Sequence, residues 1–467
     1  MFKVIRYLAL GVCAAMMLCF VSSAENLDVE FVKVDLSELF ELQEGDDSAD
    51  SADSAELIST AAELCAFRDA VNNGEKNTAH VKLAADIVIG EENWTPIGTE
   101  ANPFKGSFDG DGHTISGLNI TSCDKYAGLF GYVAAGNISN VCLYNPTIEV
   151  NAESGNVYAG FLAGYVNAES QENSTYISKI SISGGNAKVS SKTGSVYCGA
   201  IAGYAQASSY AIIDVSDCYV KADIKAVSEA KSAWSGLIAG EFNSNSSVTS
   251  TIRNCVVSGS SIAQASTSGI SGLVVGNCFA NGAWISPGGS LQATGKVSVV
   301  VNCAADGSIS ASGSINTYVG FIAGYLSGEA DVENSYYTES SSVTAGEGVK
   351  TTASGTSTAL ENLYNGTFVS ETLKLDTENT WKVSSEALPK LLIFENKVTV
   401  NAPGDVNSDG KVDTDDLLKL SKYLAGWDIE FTQAESSAAD VTGDEKVDCL
   451  DILRLLKYLA GWKVELK

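Results

Sequence analysis

Basic side chains are scarce in this 467-residue chain: 29 lysines and arginines stand against 57 acidic residues, a net charge of −28. That balance argues against nucleic acid or an anionic membrane surface as partner, because both are bound through positive patches. Only two histidines, His80 and His113, and four arginines, Arg6, Arg68, Arg253 and Arg454, are present. The shortage removes most general-base arrangements. There is no HExxH helix, no Ser or Cys nucleophile with an identifiable His partner, and no C-x-x-C pair. Beyond the first 24 residues no apolar run is long enough to span a bilayer, so the Gly-x-x-x-Gly pieces of the middle are not membrane-helix motifs. Helix formers are sparse before residue 400. Gly, Ser, Asn, Val and Ile dominate there, which favours strands and turns.

The start has the composition of a signal peptide. Lys3 and Arg6 precede an apolar stretch from Tyr7 to Phe20, and Ser22-Ser23-Ala24 offers a small-residue cleavage site. Bulky Val12 and Leu18 before Cys13 and Cys19 do not make a lipoprotein box. Residues 1–24 are therefore read as a signal peptide and the protein as secreted. Residues 25–55, which run into GDDSADSADSAE, are read as a self-repelling acidic tether, with a short edge strand at Val29 to Leu36. Thr60 and Glu63 then form a capping box. Leu64, Phe67 and Val71 fall at helical spacing, and Asn72-Asn73-Gly74 ends the helix, whose apolar stripe should cover the open end of the next structural unit. Val81, Leu83 and Ile87 alternate as one strand, and FKGSFDGDGHTISGLNI places short strands between Gly/Asp turns.

The middle repeats itself. Gly128-Leu-Phe-Gly-Tyr recurs in related form at Gly160, Gly199, Gly236, Gly272 and Gly320. In most units a strand-like piece comes next: NISNVCLY, IIDVSDCYV, TIRNCVVSG or VVVNCAADG. Short units with small-residue turns at this spacing signal a solenoid, whose coils share a continuous core because none can bury its apolar side chains alone. The pattern resembles the GLUG repeat of bacterial surface and secreted proteins, also found beside the catalytic domain of IgA-cleaving metallopeptidases. The opening WTPIG…FDGDGHTISGL is similar to the usual entry to such arrays. The resemblance spans Trp94 to Tyr337 and implies a parallel β-helix, not an activity. Residues 343–400, with LYNGTF and WKVSSEALPKLL, resemble the closing segment of such arrays and are expected to cap the end.

The tail holds one short passage twice, DVNSDGKVDTDDLLKLSKYLAGW from Asp405 and DVTGDEKVDCLDILRLLKYLAGW from Asp440. Each copy has the layout of an EF-hand-type loop followed by one helix, in which alternate positions supply oxygens to calcium. In the first copy these are Asp405, Asn407, Asp409, the Lys411 carbonyl, Asp413 and Asp416, with Gly410 at the turn. In the second they are Asp440, Thr442, Asp444, the Lys446 carbonyl, Asp448 and Asp451. Glu445 replaces the turn glycine, and a Thr hydroxyl is a poorer ligand than an amide carbonyl. Two Ca2+ sites are expected, the second weaker.

A duplicated loop–helix at the end of a secreted chain closely resembles a type I dockerin, a module that plugs secreted proteins into cohesin modules of a scaffold, as in cellulosomes. The resemblance implies cohesin contacts from Thr414, Asp415, Ser421 and Lys422 in copy one and from Cys449, Leu450, Leu456 and Lys457 in copy two. The second set is more apolar and is the favoured binding face.

The remaining chemistry is thin. Cys142, Cys218, Cys255 and Cys303 sit at one place in the repeat and are expected to stack as a buried column rather than to bind metal. Asp109, Asp111 and His113 are read as turn residues, and Arg253 has no acid cluster beside it in sequence. The fold class is thus mainly β: a capped parallel β-helix over residues 56–400, followed by a small all-α, EF-hand-like dockerin over 401–467. The expected function is that of a secreted component attached to the cell surface through a scaffold, without membrane insertion. Its non-catalytic solenoid would contact polysaccharide or cell surface. The alternative is a β-helix polysaccharide lyase or glycoside hydrolase.

Overall fold

The computed structural model describes residues 55–90, 93–245, 248–280, 283–285, 291–293, 298–328, 330–345, 350–351, 355–394, 403–407, 412–425, 431, 433–443, 446–464 and 466. The expected signal peptide, the tether up to residue 54 and its short strand lie outside the described residues, as do Asp409, Gly410, Lys411, Asp444 and Glu445 of the tail loops.

Each full coil of the solenoid contributes one strand to each of four stacked sheets, here called faces 1 to 4 in chain order. One coil runs Thr175–Ser178, Ser181–Ser191, Val196–Gly199 and Ala202–Ser208, and Ile213–Ser216 then returns to face 1. Pairing from coil to coil is parallel, for example Tyr158↔Tyr197↔Trp234 on face 3 and Tyr165↔Tyr204↔Glu241 on face 4. The alternation of the strands puts Val, Ile, Leu and Ala inward, where they form one continuous core.

Two corners explain the repeated motifs. Between faces 1 and 2 the pieces expected to be single strands are each two strands, hinged at one residue in the left-handed region. Asn140, Asp217, Asn254 and Asn302 have φ of 58°, 53°, 55° and 52° there. Asn and Asp accept this backbone because their short polar side chains bond locally. The side chains also bond from coil to coil: Asn254 Nδ2 donates to Asp217 Oδ1 at 3.2 Å, Asn302 Nδ2 to Asn254 Oδ1 at 3.1 Å and Asn334 Nδ2 to Asn302 Oδ1 at 2.8 Å.

Cys218, Cys255 and Cys303 come directly after the hinge and point into the core as a column, and burial pushes the Cys218 and Cys303 thiols well up. Cys142 does not join them. Its strand pairs it with Ser181, which in turn pairs with Tyr219, one residue beyond Cys218. The reason lies in the sequence, where Val141 separates Asn140 from Cys142 but nothing separates Asp217 from Cys218. Asn302→Ala removes two rungs of the amide ladder and leaves in the left-handed region a side chain with no polar group to offset the cost of that backbone. We expect a loss of about 2–3 kcal/mol in chemical denaturation, with Asn302→Gly recovering about 1 kcal/mol of it.

The Gly-x-x-x-Gly pieces form the corner between faces 3 and 4. Their central pairs, such as Phe161-Leu162 and Leu237-Ile238, are buried in the core. A Cβ on Gly199 would lie 2.1 Å from the Ala202 carbonyl oxygen, so glycine is a steric requirement there.

Helix α1 (Ala61–Asn72) is capped as expected: Thr60 Oγ1 accepts from Glu63 N, and the Glu63 carboxylate accepts from Thr60 N at 3.0 Å. Phe67 packs edge-on against Phe104 at 6.0 Å, which joins the helix to the first coils. Val81 and Leu83 belong to a face 1 strand, His80–Leu83, but Ile87 starts a separate strand on face 2.

Residues 360–394, expected at the open end, lie along the outer side of face 2 instead. Leu363, Val369, Leu373, Leu375, Trp381 and Leu391 bury themselves with Tyr219, Val256 and Ala304.

In the tail, α2 (Thr414–Leu424) and α4 (Cys449–Leu459) are the helices of the two copies, and α3 (Gln433–Ala439) is a short additional one. Their core is two-fold in character: Val406 and Val441, and Leu420 and Leu455, are all buried in it. Among the described residues no helix is long and apolar enough to cross a membrane.

Candidate functional site

The two tail loops are organised by their last acidic positions. Asp413 caps α2 and Asp448 caps α4, each accepting from the backbone two residues on, Asp415 N at 2.8 Å and Leu450 N at 2.7 Å. Asp416 turns back with both carboxylate oxygens, taking Asn407 N at 2.9 Å and Asp413 N at 2.8 Å. Asp451 does the same with Thr442 N at 3.0 Å and Asp448 N at 2.8 Å. Asp405, Asp416 and Asp451 are almost wholly removed from water. Carboxylate oxygens held at a buried loop suit a hard cation such as calcium, and the donors are oxygens in both copies. Among the described residues no group of three or more His, Cys, Asp or Glu converges tightly enough to hold a metal. Asp409, Lys411 and Asp444 stand outside those residues. The copies differ in detail, since Thr442 Oγ1 donates to Asp440 Oδ1 at 3.2 Å and Gly443 adopts φ 72°.

The expected partner residues lie on the outer surfaces of α2 and α4. Thr414, Asp415, Cys449, Leu450 and Leu456 are exposed, while Ser421, Lys422 and Lys457 are half-buried. On α4, Leu450, Leu453 and Leu456 leave 52%, 47% and 45% of their surfaces in water, an apolar stripe outside the domain's own core. Leu453 was not among the residues expected from sequence; it falls three residues after Leu450 on the same helical face. Leu450 and Leu453 border a shallow cleft of about 620 Å³ shared with Arg454, Lys457 and Val464. Exposed apolar stripes of this kind mark interfaces.

On the solenoid, two columns of outward side chains flank the corner between faces 3 and 4. Face 3 carries Tyr126, Tyr158, Tyr197, Trp234, Ile270 and Tyr318 in register. Face 4 carries Tyr132, Tyr165, Tyr204, Glu241, Asn277 and Tyr325. Rings stack within each column, as Tyr158 on Tyr197 at 4.9 Å and Tyr165 on Tyr204 at 5.0 Å, and meet edge-on between columns, as Tyr197 with Tyr204 at 5.3 Å. Desolvation raises the Tyr204 hydroxyl to about 12. Asn243 Nδ2 donates to the Tyr204 hydroxyl at 3.1 Å, and that hydroxyl donates to Gln206 Oε1 at 3.2 Å.

Glu241 is the one carboxyl in these columns. Burial pushes it up to about 7, against the downward pull of a hydrogen bond from Asn277. A carboxyl whose value is raised on folding stabilises the native state fully below its unfolded value and loses that contribution as pH climbs through the folded one. Between the ordinary 4.5 and about 7 the effect amounts to at most about 3 kcal/mol. The wild type is therefore expected to resist urea better at pH 5 than at pH 8, and Glu241→Gln to flatten that difference by raising stability at pH 8.

Among the described residues, two clefts that border the solenoid stand out. One of about 510 Å³ lies at the first coil and includes Trp94, Pro96, Glu100, Lys125 and Tyr126. Its polar groups are already engaged: Lys125 Nζ donates to Glu100 at 2.7 Å, and the Tyr126 hydroxyl donates to the same oxygen at 3.1 Å. The Lys125 hydrogen bond, followed by that of Tyr126, holds the Glu100 carboxyl below its usual range. The other, of about 590 Å³, runs between the 360–394 segment and face 2 past Tyr144, Lys221, Asp306, Tyr364 and Lys390.

The remaining residues singled out in the sequence are committed locally. Asp109 Oδ1 accepts from Asp111 N at 2.8 Å and Asn140 Nδ2 at 2.9 Å, Lys82 pairs with Asp111 at 3.2 Å, and His113 Nδ1 lies 3.1 Å from Asp86. Arg253 does have an acidic partner. Its Nε and Nη2 bind the two oxygens of Asp214 at 3.0 and 2.9 Å, an acid brought alongside by the coil before and so invisible as a sequence neighbour.

A mainly β chain of stacked parallel coils, followed by a small helical domain with duplicated acidic loops, is the class of molecule these features define. Residues 403–460 match the family model for the dockerin type I domain, and the chain thus carries a C-terminal dockerin-type domain. The fold is similar to that of a Bacteroides ovatus protein, described as a candidate immunoglobulin A1 protease, at a TM-score of 0.54 and 21% identity, covering 73% of this chain and 94% of that one. That likeness concerns the fold alone. An IgA1 protease aligned at a TM-score of 0.30 and 12% identity, over 81% of this chain and 28% of its own, is too distant to carry an argument. A protein of Evansella cellulosilytica described as a Gly-rich membrane protein is 35% identical over 116 residues, which span 23% of this chain and 13% of that relative.

Proposed function

We propose that the protein is an exported subunit of a cohesin–dockerin assembly, docked through its tail, whose GLUG-type solenoid holds polysaccharide rather than cleaving it. The observation that carries the docking half is the pair of matched capping loops, Asp413 with Asp416 and Asp448 with Asp451, within the dockerin-matching segment. Asp405, Asn407, Asp409, the Lys411 carbonyl, Asp413 and Asp416 would hold one calcium ion. Asp440, Thr442, Asp444, the Lys446 carbonyl, Asp448 and Asp451 would hold a second, weaker one. Calcium would supply the charge that lets several carboxylates share one loop. The α4 face is the binding one in this reading, because Leu450 and Leu456 are exposed where copy one has Asp415 and Ser421.

The test is capture of the full chain by immobilised cohesin modules. Capture is expected in calcium and lost in EDTA, and Leu450→Asp is expected to weaken it more than tenfold while Asp415→Ala changes it less than threefold. Capture that survives EDTA contradicts the calcium requirement. The reverse order of the two substitutions assigns the face to copy one.

A further inference from the structure

The cleft of about 590 Å³ beside face 2 has a floor and a wall of different origin. Its floor is one outward column of the solenoid, Tyr144, Ser183, Lys221, Ser258 and Asp306, paired in register from coil to coil. Four strand spacings make this a groove of roughly 19 Å along the solenoid axis. The wall is the 360–394 segment, which contributes Tyr364, Lys390 and Phe394. Burial of Leu391 in that segment's own core leaves its neighbour Lys390 facing outward. The groove is open to water: Lys221 and Lys390 are exposed, and the other residues of its floor are half-buried.

Two ammonium groups line this groove against a single carboxylate. Other lysines of the same sheet find an acid on the coil before, as Lys188 does with Glu149 at 3.7 Å and Lys192, just past its strand, with Glu153 at 2.7 Å. Lys221 instead has Ser183 and Ser258 beside it. Among the described residues neither Lys221 nor Lys390 makes an ion pair. Asp306 stands two strand spacings from Lys221, roughly 9.5 Å along the floor. It accepts hydrogen bonds from the Thr338 hydroxyl and, at 3.0 Å, from Ser340 Oγ. An acidic chain thus keeps two uncompensated cations in one cleft, among the rings of Tyr144, Tyr364 and Phe394.

We propose that this groove is a subsite for an acidic polysaccharide, in which a uronic acid residue sets its carboxylate against Lys221 and Lys390. The C–H faces of that residue and the next lie along Tyr144 and Tyr364, and their hydroxyls bond Ser183 and Ser258, which both donate and accept. A neutral glycan would leave both ammonium groups unanswered, and a small anion would leave the aromatic walls unused. The net charge of −28 does not forbid such a ligand, since exposed charges more than about 8 Å apart are largely screened at physiological ionic strength. The subsite rests on the reading of the solenoid as a polysaccharide-holding arm, and it gives that arm a class of polysaccharide and a place to hold it.

The test titrates the full chain by calorimetry with hexagalacturonate, cellohexaose, xylohexaose and dextran sulfate at one fixed calcium concentration. Hexagalacturonate is expected to bind, and more weakly as salt is added. Lys221→Gln and Lys390→Gln should each raise its Kd about fivefold, the loss expected of one exposed charged contact. Together they should raise it about twentyfold or more, with the melting temperature unchanged. Ser258→Trp fills the floor and should abolish binding without removing either lysine. Hexagalacturonate binding unchanged in the double variant and in Ser258→Trp overturns the subsite and leaves the arm reading standing. Binding of the neutral chains alone has the same meaning. Dextran sulfate bound as tightly as hexagalacturonate reduces the groove to a general attraction for anions and also overturns the subsite. If none of the four binds, the subsite falls, and if insoluble polysaccharide is not retained either, the arm reading falls with it. Release of unsaturated uronate would keep the subsite and overturn holding without cleavage.

Discussion

Trp381→Ala is expected to destabilise the protein by about 3–5 kcal/mol, the usual cost of deleting a large buried aromatic side chain. The indole is fully buried among Leu363, Val369, Leu373, Leu375 and Leu391 on the outer side of face 2, and its Nε1 reaches Asp217 Oδ1 at 3.4 Å. Asp217 also accepts from Asn254 in the corner ladder, so one acid ties the 360–394 segment to the coils. A second tie runs from Asn334 Nδ2 to the Thr372 carbonyl at 2.9 Å. Loss of the indole should free the segment before the coils unfold. Limited proteolysis would then cut within 360–394 at temperatures where the solenoid transition by circular dichroism is intact. Trp381→Phe, which keeps most of the apolar contact, should cost about 1–2 kcal/mol. Unchanged proteolysis and melting in Trp381→Ala would show that the segment contributes nothing to holding the coils.

Asp416→Ala is expected to unfold the tail domain and remove cohesin capture whatever the calcium concentration. The carboxylate is fully buried and closes two backbone donors, Asn407 N and Asp413 N, so its removal strands both away from water. Two unpaired buried donors and a lost cap come to about 3–5 kcal/mol, comparable with the whole stability of a domain of this size. Asp416→Asn separates the roles. It keeps one oxygen for a backbone donor but removes the side chain's negative charge, so capture should persist only at calcium concentrations raised tenfold or more. Asp451→Ala should act in the same direction through Thr442 N and Asp448 N. If Asp416→Ala binds cohesin normally, the buried carboxylate is a bystander and the loop reading of copy one fails.

Much of this architecture was legible because the solenoid writes each coil in the same words. The Gly-x-x-x-Gly corners, the capping box of Thr60 with Glu63 and the duplicated tail loops are local signals, each decided within a few residues. What escaped was non-local. Asp214 meets Arg253 across 39 positions, a separation with no sequence signature. The 360–394 segment has the composition of a closing piece, but composition does not say which face of a solenoid it will cover. The left-handed hinge was written in the repeated Asn/Asp-Cys pairs, yet β-prone stretches such as IIDVSDCYV look like single strands until the hinge is recognised. The same pairs, read closely, exclude Cys142 from the cysteine column, because Val141 intervenes. Of the partner face, Leu450 and Leu456 could be named from a resemblance, whereas Leu453 needed the exposure of α4 to be seen.

The corner ladder also bears on how such a chain can change over generations. Its rungs are 37 residues apart from Asp217 to Asn254, 48 from Asn254 to Asn302 and 32 from Asn302 to Asn334, yet they bond alike. The longest of these stretches contains the hairpin of Ala283–Ile285 with Leu291–Ala293. Insertions between corners are therefore absorbed outside the stack. A residue gained or lost within a strand, by contrast, turns the side chains beyond it inside out. Duplication or loss of a whole coil adds or removes one rung everywhere at once. Inheritance of this fold should thus vary in copy number, in steps of a full turn, with each surface column lengthened or shortened by one position at a time.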